Sequence, residues 1–350
     1  MNDHASYLNR PVFVSGYHKS GTTLFLSILD GHPELVVIPE ELNFFKAVLY
    51  QKDKAKAIRE NSGFKMFLGN QEMPEWEHWR TFYREGYPEF DQTKFNQLFE
   101  QALKNSQSFK DLMLKMVKAF AEVDHVDPAT KRRWAAKTPL EEIYFPLMHK
   151  MFGKECRFVY AVRDPRDVYT SISKWKENRG KASNQDIKSV INFCIYWQTR
   201  MNKAVSYQKK YDNVCVLRYE DLLLNTENTL KQLCAFLQIE YSQELLQPTR
   251  HGKEWGGNSA YSEGFKGISG EPIGRYQKTL DPQIRSIIER LLQKEMAAFG
   301  YMENGAKPAA EADGNAIPWQ YYRTTLMKYQ LRYLLDQSYI RLRYNFPQLH

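Results

Sequence analysis

Residues 12–23 read Val-Phe-Val-Ser-Gly-Tyr-His-Lys-Ser-Gly-Thr-Thr and run directly into Leu24-Phe25-Leu26. An apolar strand, a glycine-bounded loop and a helix beginning near Gly21 follow one another in that string. Gly16 and Gly21 stand at the five-residue separation of a Walker A loop, so backbone N–H groups and a helix N-terminus can face an anion. A nucleoside triphosphatase also needs Lys directly after the second glycine, then Ser or Thr for magnesium. Here Thr22 fills the lysine position, Thr23 can supply the hydroxyl, and the nearest cation has moved back to Lys19. Such a loop can cradle a phosphate-like group and set one cation beside its bridging oxygen. The plain alternative is a strand–turn–helix corner with His18 and Lys19 on the surface.

A second anion position is written in residues 157–175. An apolar strand ends at Arg163, where open α/β sheets bind ligands, and Pro165 opens a helix at a position where its missing N–H costs nothing. Ser171 lies eight residues on, able to share an oxyanion with Arg163. The structural alternative is an Arg163 salt bridge to Asp164 or Asp167. Candidate general bases near the first loop are Glu40, Glu41, His18 and His32. Glu40 follows a buried strand and can stand at the mouth of a cleft, and Glu41 is its immediate neighbour. His32, before Pro33, reads as a turn residue, while His18 can contact a bound anion or set the shape of the loop.

These residues need a scaffold, and the chain supplies one. Near-continuous apolar or β-branched runs at Pro11–Ser15, Leu35–Ile38, Trp134–Ala136, Arg157–Val162 and Val214–Leu217 fit strands buried on both faces of a parallel sheet. Helical spacing at Thr22–Leu29, Leu140–Met151, Pro165–Lys176, Asp186–Tyr207 and Thr226–Leu237 makes the class α/β: a P-loop-like parallel sheet flanked by helices. Residues 44–130 read as a helical insertion of the kind that shapes a substrate cleft. Its Trp76, Trp79, Phe82, Tyr83 and Tyr87 are able to stack on sugar faces or to pack a core. Gly252–Gly274 reads as a long ordered loop, which in a compact domain is more often functional than not. The expected organisation is one domain over residues 1–303, a linker over 304–316 and a helical tail over 317–350. That tail carries Arg323, Lys328, Arg332, Arg341 and Arg343 against Asp336 among many aromatics. It can pack on the domain or on a second subunit, or meet a membrane surface or an acidic partner.

Composition narrows the field further. With 350 residues, 43% apolar and 26% charged, the chain can bury a sizeable core, so disorder is excluded as the default. A net charge of +8 fits an anionic partner without choosing one. Basic and aromatic residues cluster together only in the tail, which argues against nucleic-acid binding. Four scattered cysteines make neither a disulfide scaffold nor a zinc site, and a reducing cytoplasm is the simplest home.

Lys19-Ser20-Gly21-Thr22-Thr23 resembles the 5′-phosphosulfate loop of sulfotransferases that use 3′-phosphoadenosine 5′-phosphosulfate (PAPS). The continuation Leu29-Asp30-Gly31-His32-Pro33-Glu34, then Pro39-Glu40-Glu41, is similar to the tyrosylprotein and carbohydrate branches. The resemblance implies that Arg163 and Ser171 hold the 3′-phosphate and that Lys137, in Lys137-Thr138-Pro139, faces the transferring group. It implies that Tyr219, in Arg218-Tyr219-Glu220, lies near adenine. Ser269 and Arg275 fall in a glycine-rich segment that closes over the nucleotide. By the family's spacing from Lys19 the catalytic glutamate is Glu40. Two departures are Asp164 where the family more often has Asn, and Tyr276 where it usually has Trp. The implied activity is in-line transfer of a sulfuryl group from PAPS to a hydroxyl acceptor (sugar, glycan, tyrosyl group or small metabolite), releasing the 3′,5′-bisphosphate PAP. The transferred group carries one charge fewer than a phosphoryl, so lysines and amide dipoles can act where kinases need metal, and no metal is expected. A kinase-like phosphotransferase and a non-catalytic nucleotide-binding module are the alternatives.

Overall fold

The computed structural model describes residues 6–46, 89–180, 186–257, 259–261, 267–303 and 317–345, with only the backbone of Ser6, Glu40 and residues 343–345. The aromatic part of the insertion (Trp76, Trp79, Phe82, Tyr83 and Tyr87) and the linker 304–316 lie outside the described residues.

Five strands, β1 (Pro11–Gly16), β2 (Leu35–Glu41), β3 (Arg133–Lys137), β4 (Arg157–Val162) and β5 (Val214–Arg218), form one parallel sheet in the order β2-β3-β1-β4-β5. Their apolar runs are explained by burial on both faces. Val12 and Val14 meet the helices Thr22–Leu29 and Thr226–Leu237, while Phe13, Trp134 and Phe158 meet Phe109–Val123 and Phe145–Phe152 on the other face. The chain leaves β1 toward β2 and leaves β4 toward β5, so the switch in winding direction falls between two neighbouring strands, β1 and β4. Ligands of open α/β sheets bind at such a point.

The helices depart from expectation in instructive ways. Leu140–Met151, expected as one helix, is a 3₁₀ turn at Glu141–Tyr144 followed by the α-helix Phe145–Phe152. Leu140 takes a left-handed conformation (φ 65°), and Pro146 can sit only in the first turn of a helix, so regular winding begins late. The described part of the insertion is a helical pair, Gln92–Asn105 and Phe109–Val123, started by the side chains of Asp91 and Ser108. The helix Pro282–Ala298, beyond the five expected helices, packs on the long helix Ile187–Lys210.

The tail helix, Trp319–Asn345, lies against that same long helix. Tyr333 and Ile340 are buried, Tyr321 donates to Asn192 at 3.1 Å, and Gln337 donates to the carbonyl of Ile143. Arg200, paired with the buried Glu142, also meets the hydroxyl of Tyr329 and so joins the tail to the turn after β3.

The corner after β4 is locked by Arg166. Its guanidinium reaches Asp164 and Glu289 at 2.7 Å each and the carbonyl of Tyr301 at 2.8 Å, all with almost no solvent contact. Arg166→Ala strands a buried carboxylate at Asp164, and removing one partner of a buried pair costs about 3–5 kcal/mol. Denaturant unfolding should show a loss of that order. A change within experimental error would mean the corner is held by backbone alone.

Candidate active site

The loop Tyr17–Gly21 is a backbone device before it is a set of side chains. Lys19 (φ 65°) and Gly21 (φ 84°) are both left-handed, and the Ser20 N–H donates to the Tyr17 carbonyl at 3.1 Å. Phe25 is the first amide accepted within the following helix, at 3.0 Å from the carbonyl of Gly21. The amides of Thr22, Thr23 and Leu24 therefore have no intrahelical acceptor and form an anion-facing helix start. Gly21 is required on two counts. A left-handed φ strains any other residue, and a Cβ there would stand 2.3 Å from the ring of Tyr219. Tyr219 thus braces the back of the loop as well as lining the cleft.

The cleft over this loop has a volume of about 640 Å³ and is lined by Lys19, Gly21, Thr22, Thr23, Arg163, Ser171, Tyr219, Ser269 and Arg275. The topology thus brings together nine residues singled out in four separated stretches of sequence. Ser20 is buried beneath it, with a hydroxyl that has no hydrogen-bond partner among the described residues. Lys137 lies just behind the wall and donates to Glu41 at 2.6 Å and to Thr23 at 3.1 Å. Glu41 itself lines the cleft; the side chain of Glu40 lies outside the described residues.

The contact between Glu41 and Lys137 has a backbone cause. Val37 pairs with Ala135, but Glu41 pairs with Lys137, so β2 carries two extra residues against its partner. Pro39 sits in that irregular stretch, where its missing N–H breaks the ladder. In the regular register Pro39 would have faced Lys137. Burial alone would raise the Glu41 carboxyl, yet Lys137, then His18 and Lys19, hold it below the usual carboxylate range.

Arg163 ties three segments together. It donates to the carbonyls of Lys19 at 3.1 Å and Pro272 at 2.8 Å, and its guanidinium lies 4.6 Å from the centre of the Tyr219 ring. The carboxylates expected as alternative partners are engaged elsewhere, Asp164 by Arg166 and Asp167 by the amides of Gly274 and Tyr276 at 2.8 and 3.0 Å. The Nε of Arg163, like the hydroxyl of Ser20, is buried without a partner among the described residues. Both are donors that an anion in the cleft would satisfy.

Trp175, Lys176, Tyr261 and Glu271 also line the cleft and were not anticipated. Trp175 falls four residues after Ser171 on the helix Pro165–Glu177, a spacing that puts both on one face. The Lys19 ammonium lies 5.5 Å from its ring centre. Arg275 is paired with Glu271 at 2.6 Å and stacks 4.4 Å from the Tyr261 ring. Of the histidines, His32 is structural. Its Nδ1 accepts the Glu34 amide at 3.1 Å, leaving Nε2–H for the carbonyl of Glu240 at 2.9 Å. His18 opens onto the cleft, and the protein mass around it, with Arg200, Lys137 and Lys19, keeps its imidazole below the ordinary range despite Glu41.

The "Sulfotransferase family" profile matches residues 11–243. A Caenorhabditis briggsae protein carrying a provisional protein-tyrosine sulfotransferase name is 22% identical over 237 residues, 67% of this chain and 68% of its own. The sulfotransferase domain of the olefin synthase of Synechococcus PCC 7002 superposes with a TM-score of 0.51 at 17% identity, over 83% of this chain and 95% of the domain. The sulfotransferase domain of the curacin biosynthetic pathway gives 0.52 at 20% identity, over 81% and 96%. At these identities the two structures establish a common fold.

Burial first, then Arg179 and Lys137, push the Lys19 ammonium down to about 8. Between that value and the ordinary lysine range the unfolded chain binds the extra proton, so this group makes folding more favourable as pH rises through the window. Lysine-resolved NMR should find Lys19 titrating near 8, and moving upward in Arg179→Gln or when an anion fills the cleft. Titration near the ordinary value, about 10.4, would show that neither burial nor the neighbouring cations act on Lys19.

Proposed function

The chain belongs to the sulfotransferase family, and from that premise we propose that this cleft moves a sulfuryl group from PAPS to a hydroxyl acceptor, with Glu41 as the general base. The observation that carries the reading is Lys137 bridging Glu41 and Thr23 at the start of the phosphate-loop helix. It puts a base and a leaving-group cation on the same few ångströms of wall. Glu40, to which the spacing from Lys19 points, is the neighbouring candidate; the geometry favours Glu41 because its carboxylate meets the lysine and lines the cleft.

The residues present suit the nucleotide. The loop amides with Ser20 and Lys19 would hold the 5′-phosphosulfate, and Arg163 with Ser171 the 3′-phosphate. Tyr219 would stand near adenine, and Ser269 and Arg275 would close over it. PAPS supplies an activated sulfuryl group whose S–O bond to the 5′-phosphate breaks as the bond to the acceptor oxygen forms. Lys19 and Lys137 would neutralise charge developing on the departing phosphate oxygen. Glu41 takes the acceptor proton. With Lys19 and Lys137 engaged by a bound anion, Glu41 would lose part of the influence of the cations that depress its basicity. A cytoplasmic setting belongs to this reading; it agrees with four free cysteines and with no described helix being long and apolar enough to cross a membrane. The wall bearing Glu41 would meet an acceptor of the sugar, tyrosyl or small-metabolite class.

Glu41→Gln should lower turnover by about 10²–10⁴-fold with PAP affinity preserved, while Glu40→Gln stays near wild type. The reverse pattern moves the base by one residue. Lys137→Ala should also depress turnover, and chelator should leave it unchanged. A strict requirement for a divalent metal would favour phosphoryl transfer instead.

Charge-assisted contacts to phosphate are worth roughly 1.5–3 kcal/mol, or about 10–100-fold in affinity. Arg163→Ala should weaken PAP by that factor, and Ser171→Ala by less. Adenosine 5′-phosphosulfate, lacking the 3′-phosphate, should be little affected in calorimetry. Equal losses for both nucleotides would make Arg163 a brace for Lys19 and Pro272 alone.

A further inference from the structure

The tail helix is apolar on two opposite faces. Tyr322, Leu326, Tyr329, Tyr333, Gln337 and Ile340 recur at helical spacing and turn toward the body, where Tyr333, Gln337 and Ile340 are buried. Met327, Leu331, Leu334, Leu335 and Leu342 recur at the same spacing on the other side, each 59–71% exposed. Together with Trp319 they make up six of the eight large apolar side chains exposed among the described residues. Scattered exposed leucines need no explanation, but a contiguous stripe along a 27-residue helix does.

Its flanks are cationic. Arg323 and Arg341 run along one edge of the stripe and Lys328 and Arg332 along the other, all exposed, with Asp336 the one acid in the described helix. Lys203 and Lys210 of the long helix beneath add to the same charge, since burial and then Arg341 and Lys210 lower the Lys203 ammonium.

We propose that this face is a docking surface for an anionic lipid bilayer. The helix would lie in the plane of the membrane, its Met and Leu side chains at the headgroup–acyl boundary and its arginines and lysines on lipid phosphates. It cannot enter end-on, because its opposite face is engaged by the body and it is not apolar enough to span. A second copy suits the face less well, because pairing two such stripes sets basic edge against basic edge. The inference stands independently of the chemistry in the cleft.

The test is flotation of the full chain with vesicles of phosphatidylcholine alone or with about one-third phosphatidylserine. Binding should require the anionic lipid and fall sharply with salt. Neutralising Arg323, Arg332 and Arg341 to Gln should weaken it on the order of a hundredfold, at roughly one decade per 1.4 kcal/mol. Leu331→Ser with Leu335→Ser, at exposed positions that spare the fold, should weaken it by tenfold or more. No binding, equal binding to neutral vesicles, or indifference to both variants overturns the proposal. So does sedimentation showing a dimer that the Leu variants dissociate while vesicles bind nothing, which would make the face a self-interface.

Discussion

The positive charge gathered at one end of the sheet is the constraint around which the rest of the structure is arranged. Lys19, Arg163 and Arg275 converge on one cleft and Lys137 stands just behind its wall, with Glu41 beside Lys137 and Glu271 beside Arg275. Like charges at such range repel through protein far more strongly than through water. Burial first, and then that crowding, depress the titration of Lys19. The fold sustains it by placing backbone carbonyls where they hold a cation without neutralising it, as those of Lys19 and Pro272 do for Arg163. What results is a cleft whose electrostatic partner is an anion.

Arg163 and Arg166, three residues apart, divide two tasks that sequence alone does not separate. Arg166 is closed in by Asp164, Glu289 and Tyr301 and belongs to the architecture. Among the described residues Arg163 donates to backbone carbonyls, which direct its guanidinium without a carboxylate bonded to it. A salt bridge to Asp164 or Asp167 would have cancelled the charge that an anion site needs. The same division runs through the Leu29–Glu34 stretch. Asp30 accepts Thr249 at 2.7 Å and the Gly252 amide at 2.8 Å, and His32 clamps Glu240, so these residues anchor neighbouring loops rather than meet a ligand.

A single wall joins base and cation because β2 is irregular. Two residues inserted around Pro39 bring Glu41, the strand partner of Lys137, into contact with it. Edge strands tolerate such irregularity, since only one side of the ladder is disturbed. The tail helix extends the core through Tyr333 and Ile340 while presenting a second apolar face outward. Near-opposite stripes of that kind cancel in any measure of amphipathicity, which is why the tail reads in sequence only as aromatic and basic.

The sequence by itself determined the sheet, because strands buried on both faces must be written as apolar runs. It also determined the phosphate loop, whose left-handed turn at Gly21 and helix start are local properties of a short string. Arg163 and Ser171 were legible for the same reason, lying on one strand end and the first turns of the next helix. Tertiary structure decided what depends on pairing between distant segments. The register shift that sets Glu41 on Lys137 arises from one strand measured against another, and nothing in Pro39-Glu40-Glu41 alone states that Glu41 meets that lysine. The two faces of the tail helix, and the closing of Arg166 by Glu289, were likewise settled by packing, since each rests on a neighbour more than a hundred residues away in the chain.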